Sequence, residues 1–168
     1  MVHEKMKKIG LSILFICTVF SCKEEIYSTI PNAPVKLTLN LNAYDYKLNI
    51  SLAYSIFSIG KYPEGRPSLA MDRLGYGGLL IINGIGEETV NLYAYDMACP
   101  NEANSKILVV PNNESEIGTP TAITAECSEC RAVYYISDGT GAPKSRSKYY
   151  LRSYRVMKTG DREYVVMN

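Results

Sequence analysis

Polar and apolar residues alternate strictly from Val35 to Leu41, with an apolar side chain at every odd number. A period of two predicts a half-buried β-strand. Leu48–Leu52 alternates in the same way and predicts a second strand. Leu79-Leu80-Ile81-Ile82 is apolar throughout and predicts a strand turning at Asn83-Gly84. The strand pairing back runs from Thr89 to Asp96, with Val90, Leu92 and Ala94 on one face and Asn91, Tyr93 and Tyr95 on the other. Further strands are predicted over Ile107–Val110 and Val133–Ile136, the latter closed by a turn at Asp138-Gly139. A final hairpin runs from Tyr150 through Lys158-Thr159-Gly160-Asp161 to Met167. Pro63, Gly65 and Pro67 place a loop over residues 60–67, and Leu69–Arg73 reads as one helical turn. No amphipathic helix of ten residues appears and strands recur at short intervals, which predicts an all-β sandwich or barrel.

Composition narrows the class without naming an activity. The chain of 168 residues suits one domain after processing, and its 46% apolar content is that of a globular protein. With 18 basic and 17 acidic residues the net charge is +1, so bulk electrostatics give no reason to expect nucleic acid as a partner. Charge varies locally. Residues 101–130 hold five Glu against one Lys, and residues 143–168 hold seven Lys and Arg against two acids. The two segments are expected to lie close and neutralise each other.

The first 21 residues read as a targeting segment, with Lys5, Lys7 and Lys8 before the apolar run from Ile9 to Phe20, which is shorter than a membrane span. Val19-Phe20-Ser21-Cys22 resembles the lipobox of bacterial lipoproteins. That resemblance implies acylation of Cys22, a bilayer partner and an outer-membrane location in a Gram-negative envelope; an ordinary secretory signal with an incidental Cys22 is the alternative. Lys23-Glu24-Glu25 resembles the signal that sends some such lipoproteins to the cell surface. Residues 22–34 read as the tether. The sole histidine, His3, lies in the removed segment, so the mature chain has no imidazole and His-based catalysis is excluded.

Candidate chemistry rests on three cysteines. Cys99 precedes Pro100-Asn101, and Cys127 and Cys130 form a C-x-x-C pair, so two loops offer sulfur to a common point. A disulfide suits an oxidising compartment and is worth about 3–4 kcal/mol for a loop of this length. A zinc site with three thiolates needs a fourth ligand from Glu102, Glu129 or water. A thiol–disulfide redox pair is disfavoured because no helix opens behind the C-x-x-C. Gly75-Tyr76-Gly77-Gly78 does not suit a phosphate loop, because a strand follows rather than a helix. Glu87-Glu88 and Glu114 with Glu116 read as a solvated rim. The 14 Tyr, offered as a platform for carbohydrate, read more simply as sheet packing.

Tyr95-Asp96-Met97-Ala98-Cys99-Pro100, Cys127-x-x-Cys130, Val133-Tyr134 and the C-terminal strand with its hairpin resemble the Rieske iron–sulfur domain family, over roughly residues 35–168. The resemblance implies an antiparallel β-sandwich with a small inserted subdomain over about residues 97–136. It also implies a [2Fe–2S] cluster held by two cysteines and two histidines. Cys99 and Cys127 match the cysteine positions, whereas Asn101 and Cys130 stand where histidines belong. Ser145-Arg146-Ser147 replace the segment that shields the cluster. The resemblance further implies Cys99–Cys127 as a disulfide pair, with Cys127–Cys130 also open. The resulting expectation is a lipid-anchored envelope protein with no cluster, acting as a binding or assembly component rather than an enzyme. Its partner would be an envelope protein or a glycan. An electron-transfer protein with an altered [2Fe–2S] site, held by the three cysteines and one further ligand, is the alternative.

Overall fold

The computed structural model describes residues 28–86, 88–113 and 118–168. The targeting segment, Cys22 with its expected acylation, Lys23-Glu24-Glu25, Glu87, Glu114 and Glu116 lie outside the described residues.

The described residues form twelve strands and no α-helix: β1 (Val35–Asn40), β2 (Tyr54–Phe57), β3 (Arg73–Leu74), β4 (Leu79–Asn83), β5 (Leu92–Asp96), β6 (Ala98–Cys99), β7 (Asn104–Pro111), β8 (Thr124–Cys127), β9 (Val133–Tyr135), β10 (Pro143–Ser145), β11 (Ser153–Gly160) and β12 (Glu163–Met167). Every strand pairing is antiparallel. A seven-stranded sheet has the order β2-β4-β5-β11-β12-β1-β3, and a five-stranded sheet has the order β10-β9-β8-β7-β6. All of the smaller sheet is inserted between β5 and β11, which pair directly through Ser153 with Tyr95 and Tyr154 with Ala94. The all-β, antiparallel architecture agrees with the alternation in the sequence.

The pleat explains two separate cores. In β1 the odd-numbered residues are buried and the even-numbered ones face outward, as the alternation requires. All five residues of β4 are buried because that strand is covered on both sides. Leu79 and Ile81 join a core with Leu37, Leu39, Phe57 and Val166, while Leu80 and Ile82 join a second core with Tyr95, Cys99, Cys127 and Tyr134. β5 repeats the division, sending Leu92 and Ala94 to the first core and Tyr95 to the second. The two central strands therefore form a wall shared by both cores, and the cysteines pack against one side of it.

Four expectations need correction. Leu48–Leu52 is not a strand: Tyr46–Asn49 makes a 3-10 turn that buries Leu48, the Asn49 side chain donates to the Leu41 carbonyl at 2.8 Å, and Leu52 has φ +64. The local alternation loses to a turn tied back onto β1. Asn83-Gly84 is not a two-residue hairpin turn either. Asn83 ends β4 with its side chain buried, its Oδ1 accepting from the Asn91 N–H at 2.7 Å, and this bond closes a longer loop. Residues 28–34, assigned to a tether, are docked instead. Ile30 is buried, and Arg152 donates to the Ile30 carbonyl at 2.9 Å and to Asn32 Oδ1 at 2.8 Å. Finally, the acidic segment and residues 143–168 do lie close, meeting where Asn101 bonds Arg146 and Ser147, but among the described residues no ion pair joins them, and Glu126 pairs with Arg131 at 2.6 Å.

The irregular passage from Ser58 to Asp72 is fastened by one buried ion pair. Arg66 Nη1 meets Asp45 Oδ2 at 2.9 Å, and its Nη2 donates to the Thr38 carbonyl at 2.6 Å. The guanidinium also lies 5.4 Å from the centre of the Phe57 ring. Burial pushes the Asp45 carboxyl upward, and the Asn40 N–H and the Arg66 charge pull it back.

The passage from the large sheet to the small one turns on Asp96. Its Oδ2 accepts from the Tyr76 N–H at 2.8 Å and the Tyr154 hydroxyl at 2.7 Å, and its Oδ1 accepts from the N–H groups of Gly77 and Ala98, both at 2.9 Å. Gly77 must be glycine there, because a Cβ would meet the Ala98 nitrogen at 2.5 Å. Replacing Asp96 with Asn sets an amide N–H against at least one backbone donor and removes about two charge-assisted bonds. The expected cost is about 3–5 kcal/mol. The melting temperature of Asp96→Asn should fall by roughly 10 °C in calorimetry, and Tyr154→Phe by less than half as much. A fall of under about 2 °C for Asp96→Asn would show that the carboxylate does not hold this junction.

Candidate functional site: a three-cysteine socket

Each cysteine is aimed by its backbone. Cys99 ends β6, where the ladder with β7 is broken: Ala98 pairs with Leu108 but Cys99 with Asn104. The Ala103 N–H returns to the Cys99 carbonyl at 2.9 Å, with Ala103 at φ +49, so the chain folds tightly around this sulfur. Cys127 ends β8 and faces Val109 of β7. The chain then turns through Ser128 and Glu129 to Cys130. The Arg131 N–H bonds the Cys127 carbonyl at 3.2 Å, Arg131 adopts φ +59, and the Cys127 N–H bonds the Ala132 carbonyl at 2.9 Å. That turn brings both C-x-x-C sulfurs to one side.

The three Sγ atoms lie within 4.8 Å of one another. Cys99 Sγ is 3.6 Å from Cys130 Sγ. Cys99 and Cys127 are fully buried and Cys130 is half-buried. All three thiols are free, so the expected disulfide is not formed. A 3.6 Å separation is van der Waals contact, against about 2.05 Å for an S–S bond. Neither the Cys99–Cys127 pair that the resemblance implied nor the Cys127–Cys130 pair is bonded. Three converging thiols are a set of ligands that can bind a metal ion. Glu102 and Glu129, offered as a fourth ligand, are exposed and do not join the group.

Asn101 has a structural role of its own. Its Nδ2 donates to the Arg146 carbonyl at 2.9 Å and reaches Cys130 Sγ at 3.4 Å, and its Oδ1 accepts from the Ser147 hydroxyl at 2.8 Å. The amide thus ties the Cys99 loop, the C-x-x-C turn and the segment around Arg146 and Ser147 to one another. Ser147 also bonds the Tyr149 carbonyl at 3.1 Å and accepts from its N–H at 3.0 Å, closing that segment on itself.

Sequence reasoning missed Tyr134 as part of the site. Tyr134 is fully buried, and its hydroxyl has no hydrogen-bond partner. Burial pushes its phenol upward, and Ser147, Cys99 and Cys130 are among the groups that act on it. The available signal was alternation, because Tyr134 is the one buried residue between half-buried Val133 and Tyr135.

The thiols differ in acidity. Burial pushes the Cys99 thiol up to about 12, helped by its hydrogen bond with Cys127, although the backbone N–H groups of Asn101 and Glu102 that face it act the other way. Burial also pushes Cys130 upward. There the Ala132 N–H, the Asn101 amide and the other two thiols outweigh it and leave Cys130 below the ordinary thiol value. No protein-family model matches the chain, and neither a curated protein nor a solved structure matches it.

Only thiolate is alkylated, so the rate of alkylation rises with pH through the pKa. Iodoacetamide should label one thiol of the reduced native protein quickly, with a midpoint below that of a free cysteine, and Cys130→Ser should abolish that phase. Cys99 and Cys127 should react only as the protein unfolds. Two thiols reacting at equal rates in the native state would contradict this order.

Proposed function

We propose that this chain is a lipid-anchored envelope protein with a Rieske-like domain that has given up its iron–sulfur chemistry and serves as a non-catalytic binding or assembly component. The observation that carries this reading is the use made of Asn101. At the position where the family resemblance expects a histidine ligand, both ends of the amide are spent on protein groups: Arg146, Ser147 and Cys130. Its carbonyl oxygen is engaged by a hydroxyl instead of facing an iron.

The sulfurs argue in the same direction. A two-iron cluster needs ligands on both irons, which hold their sulfurs or nitrogens apart across the cluster. Here the three sulfurs converge, and Cys99 and Cys130 are in contact at 3.6 Å. The residues present do not fit a [2Fe–2S] group. The electron-transfer reading therefore finds no support in the donor set.

The proposed anchor has a geometric consequence. The Thr29 hydroxyl donates to the Pro100 carbonyl, next to Cys99, and residues 28–34 are held against the domain. Six backbone steps separate Cys22 from Ser28, so an acylated Cys22 keeps the start of the docked segment within about 20 Å of the lipid. The three-cysteine face is then the face nearest the membrane.

Aerobically purified protein is expected to be colourless, with neither iron nor acid-labile sulfide. A red-brown protein carrying two irons and two sulfides would replace this reading with the electron-transfer one. In a separate experiment on the full chain, Cys22→Ser should move the protein from the membrane fraction to the soluble one and abolish labelling by a fatty-acid analogue. Retention of both by the variant would refute the anchor.

A further inference from the structure

Three thiols that converge without forming a disulfide, beside a buried phenol that lacks a partner, form a donor set whose ligand the preceding reading leaves open. We propose that Cys99, Cys127 and Cys130 hold one zinc ion through three thiolates, with the fourth position open to solvent beside Cys130. This deepens the binding role and rests on its premise that no two-iron cluster is built here.

The spacing suits a single ion. Zn–S bonds of about 2.3 Å at tetrahedral angles place their sulfurs about 3.8 Å apart. The observed Cys99–Cys130 distance of 3.6 Å needs to open by only a few tenths of an ångström, and every pair already lies within 4.8 Å. The donor set also selects for softness. Among the described residues no carboxylate joins the group and the mature chain has no histidine, so calcium and magnesium, which need oxygen ligands, find none.

The surroundings are those of bound thiolates. The Asn101 side-chain amide donates toward Cys130 Sγ at 3.4 Å, and its other bonds to Arg146 and Ser147 hold it there. Such a donor spreads the charge of metal-bound sulfur and holds it in place. The Tyr134 hydroxyl is an independent sign. A fully buried donor without a partner is costly in the thiol form of the socket. Tyr134 packs in one cluster with Cys99, Cys127 and Cys130, and a metal-bound thiolate among these neighbours gives its hydroxyl an acceptor. Three thiolates and one Zn²⁺ carry a net charge of −1, three protons leave on binding, and no redox step is involved.

Solvent completes the site by elimination. Cys99 and Cys127 have 0% exposure, so the socket opens only past half-buried Cys130, and the exposed Glu102 and Glu129 stay outside the group. An open fourth position is the arrangement that lets zinc take up a further ligand.

The test uses the reduced, mature protein, titrated with Zn²⁺ against a chromophoric chelator and, separately, with Co²⁺. One Zn²⁺ per chain should bind and protect all three thiols from a thiol reagent. Co²⁺ should give thiolate charge-transfer bands with tetrahedral ligand-field bands. Cys130→Ser, at the most exposed ligand, should lose more than 100-fold in affinity while keeping the melting temperature of the metal-free protein. Tyr134→Phe, a positioning residue, should keep the stoichiometry and lose roughly tenfold. The proposal is overturned by substoichiometric uptake, by a cobalt spectrum without thiolate bands, by Cys130→Ser binding as the parent does, or by Cu⁺ binding at this site with zinc unable to enter. Iron with labile sulfide in the purified protein would sink the cluster-free premise instead, which separates the two failures.

Discussion

At the end of β5 the chain leaves the large sheet and builds a second one, and a single buried carboxylate sits at that exit. Asp96 receives four donors: two from the glycine loop, one from the first residue of β6, and one from Tyr154 on β11. Four bonds come near to saturating what two carboxylate oxygens can accept, and no cation takes part. The group therefore acts as a bracket. It fixes the loop at residues 75–78, the start of the insertion and the strand to which the insertion returns. Gly77 allows the loop to come this close, since its missing side chain leaves the Ala98 backbone its place. Cys99 follows three residues after Asp96, so the bracket positions the first sulfur.

The second sulfur-bearing loop depends on β4 and β5. Because each sends alternate residues to opposite cores, the wall behind the cysteines is a packed layer rather than a flexible surface. Leu80 and Ile82 lie in the same cluster as Tyr95, Cys127 and Tyr134. A change in volume on one side of this wall should be felt on the other. The cysteine socket is thereby built on the most buried part of the fold, and only Cys130 reaches toward solvent.

Several features were legible in the sequence because they depend on period alone. The inward residues of β1, the two faces of β5 and the final hairpin follow from alternation and match the structure. The cysteines were legible as a group because C-x-x-C and a distant Cys are hard to explain otherwise. What failed depends on distant partners. Leu48–Leu52 alternates like a strand, yet the Asn49 amide and the Leu41 carbonyl make it a turn. Asn83-Gly84 looks like a hairpin turn, yet the buried Asn83 side chain closes a longer loop. Arg66 gave no hint of meeting Asp45, which lies 21 residues earlier. Tyr134 could have been read as inward, but its empty hydroxyl is visible only in three dimensions.

The convergence of the thiols has a cause that outlives any one ligand. A socket whose sulfurs were brought together by a metal alone would spread once the metal left, because thiolates repel and thiols gain little from contact. Here the backbone does the gathering. The Ala103–Cys99 and Arg131–Cys127 turn bonds close the two cysteine loops, and the Asn101 amide joins them to the segment at Arg146. Two of these turns rest on non-glycine residues with positive φ, Ala103 and Arg131, a conformation that carries a cost and persists only where the surroundings impose it. Such a frame is preorganised: little ordering remains when a ligand arrives, and affinity gains accordingly. Asn101 supplies part of that frame with both ends of its amide, so the loops are held by bonds within the protein itself.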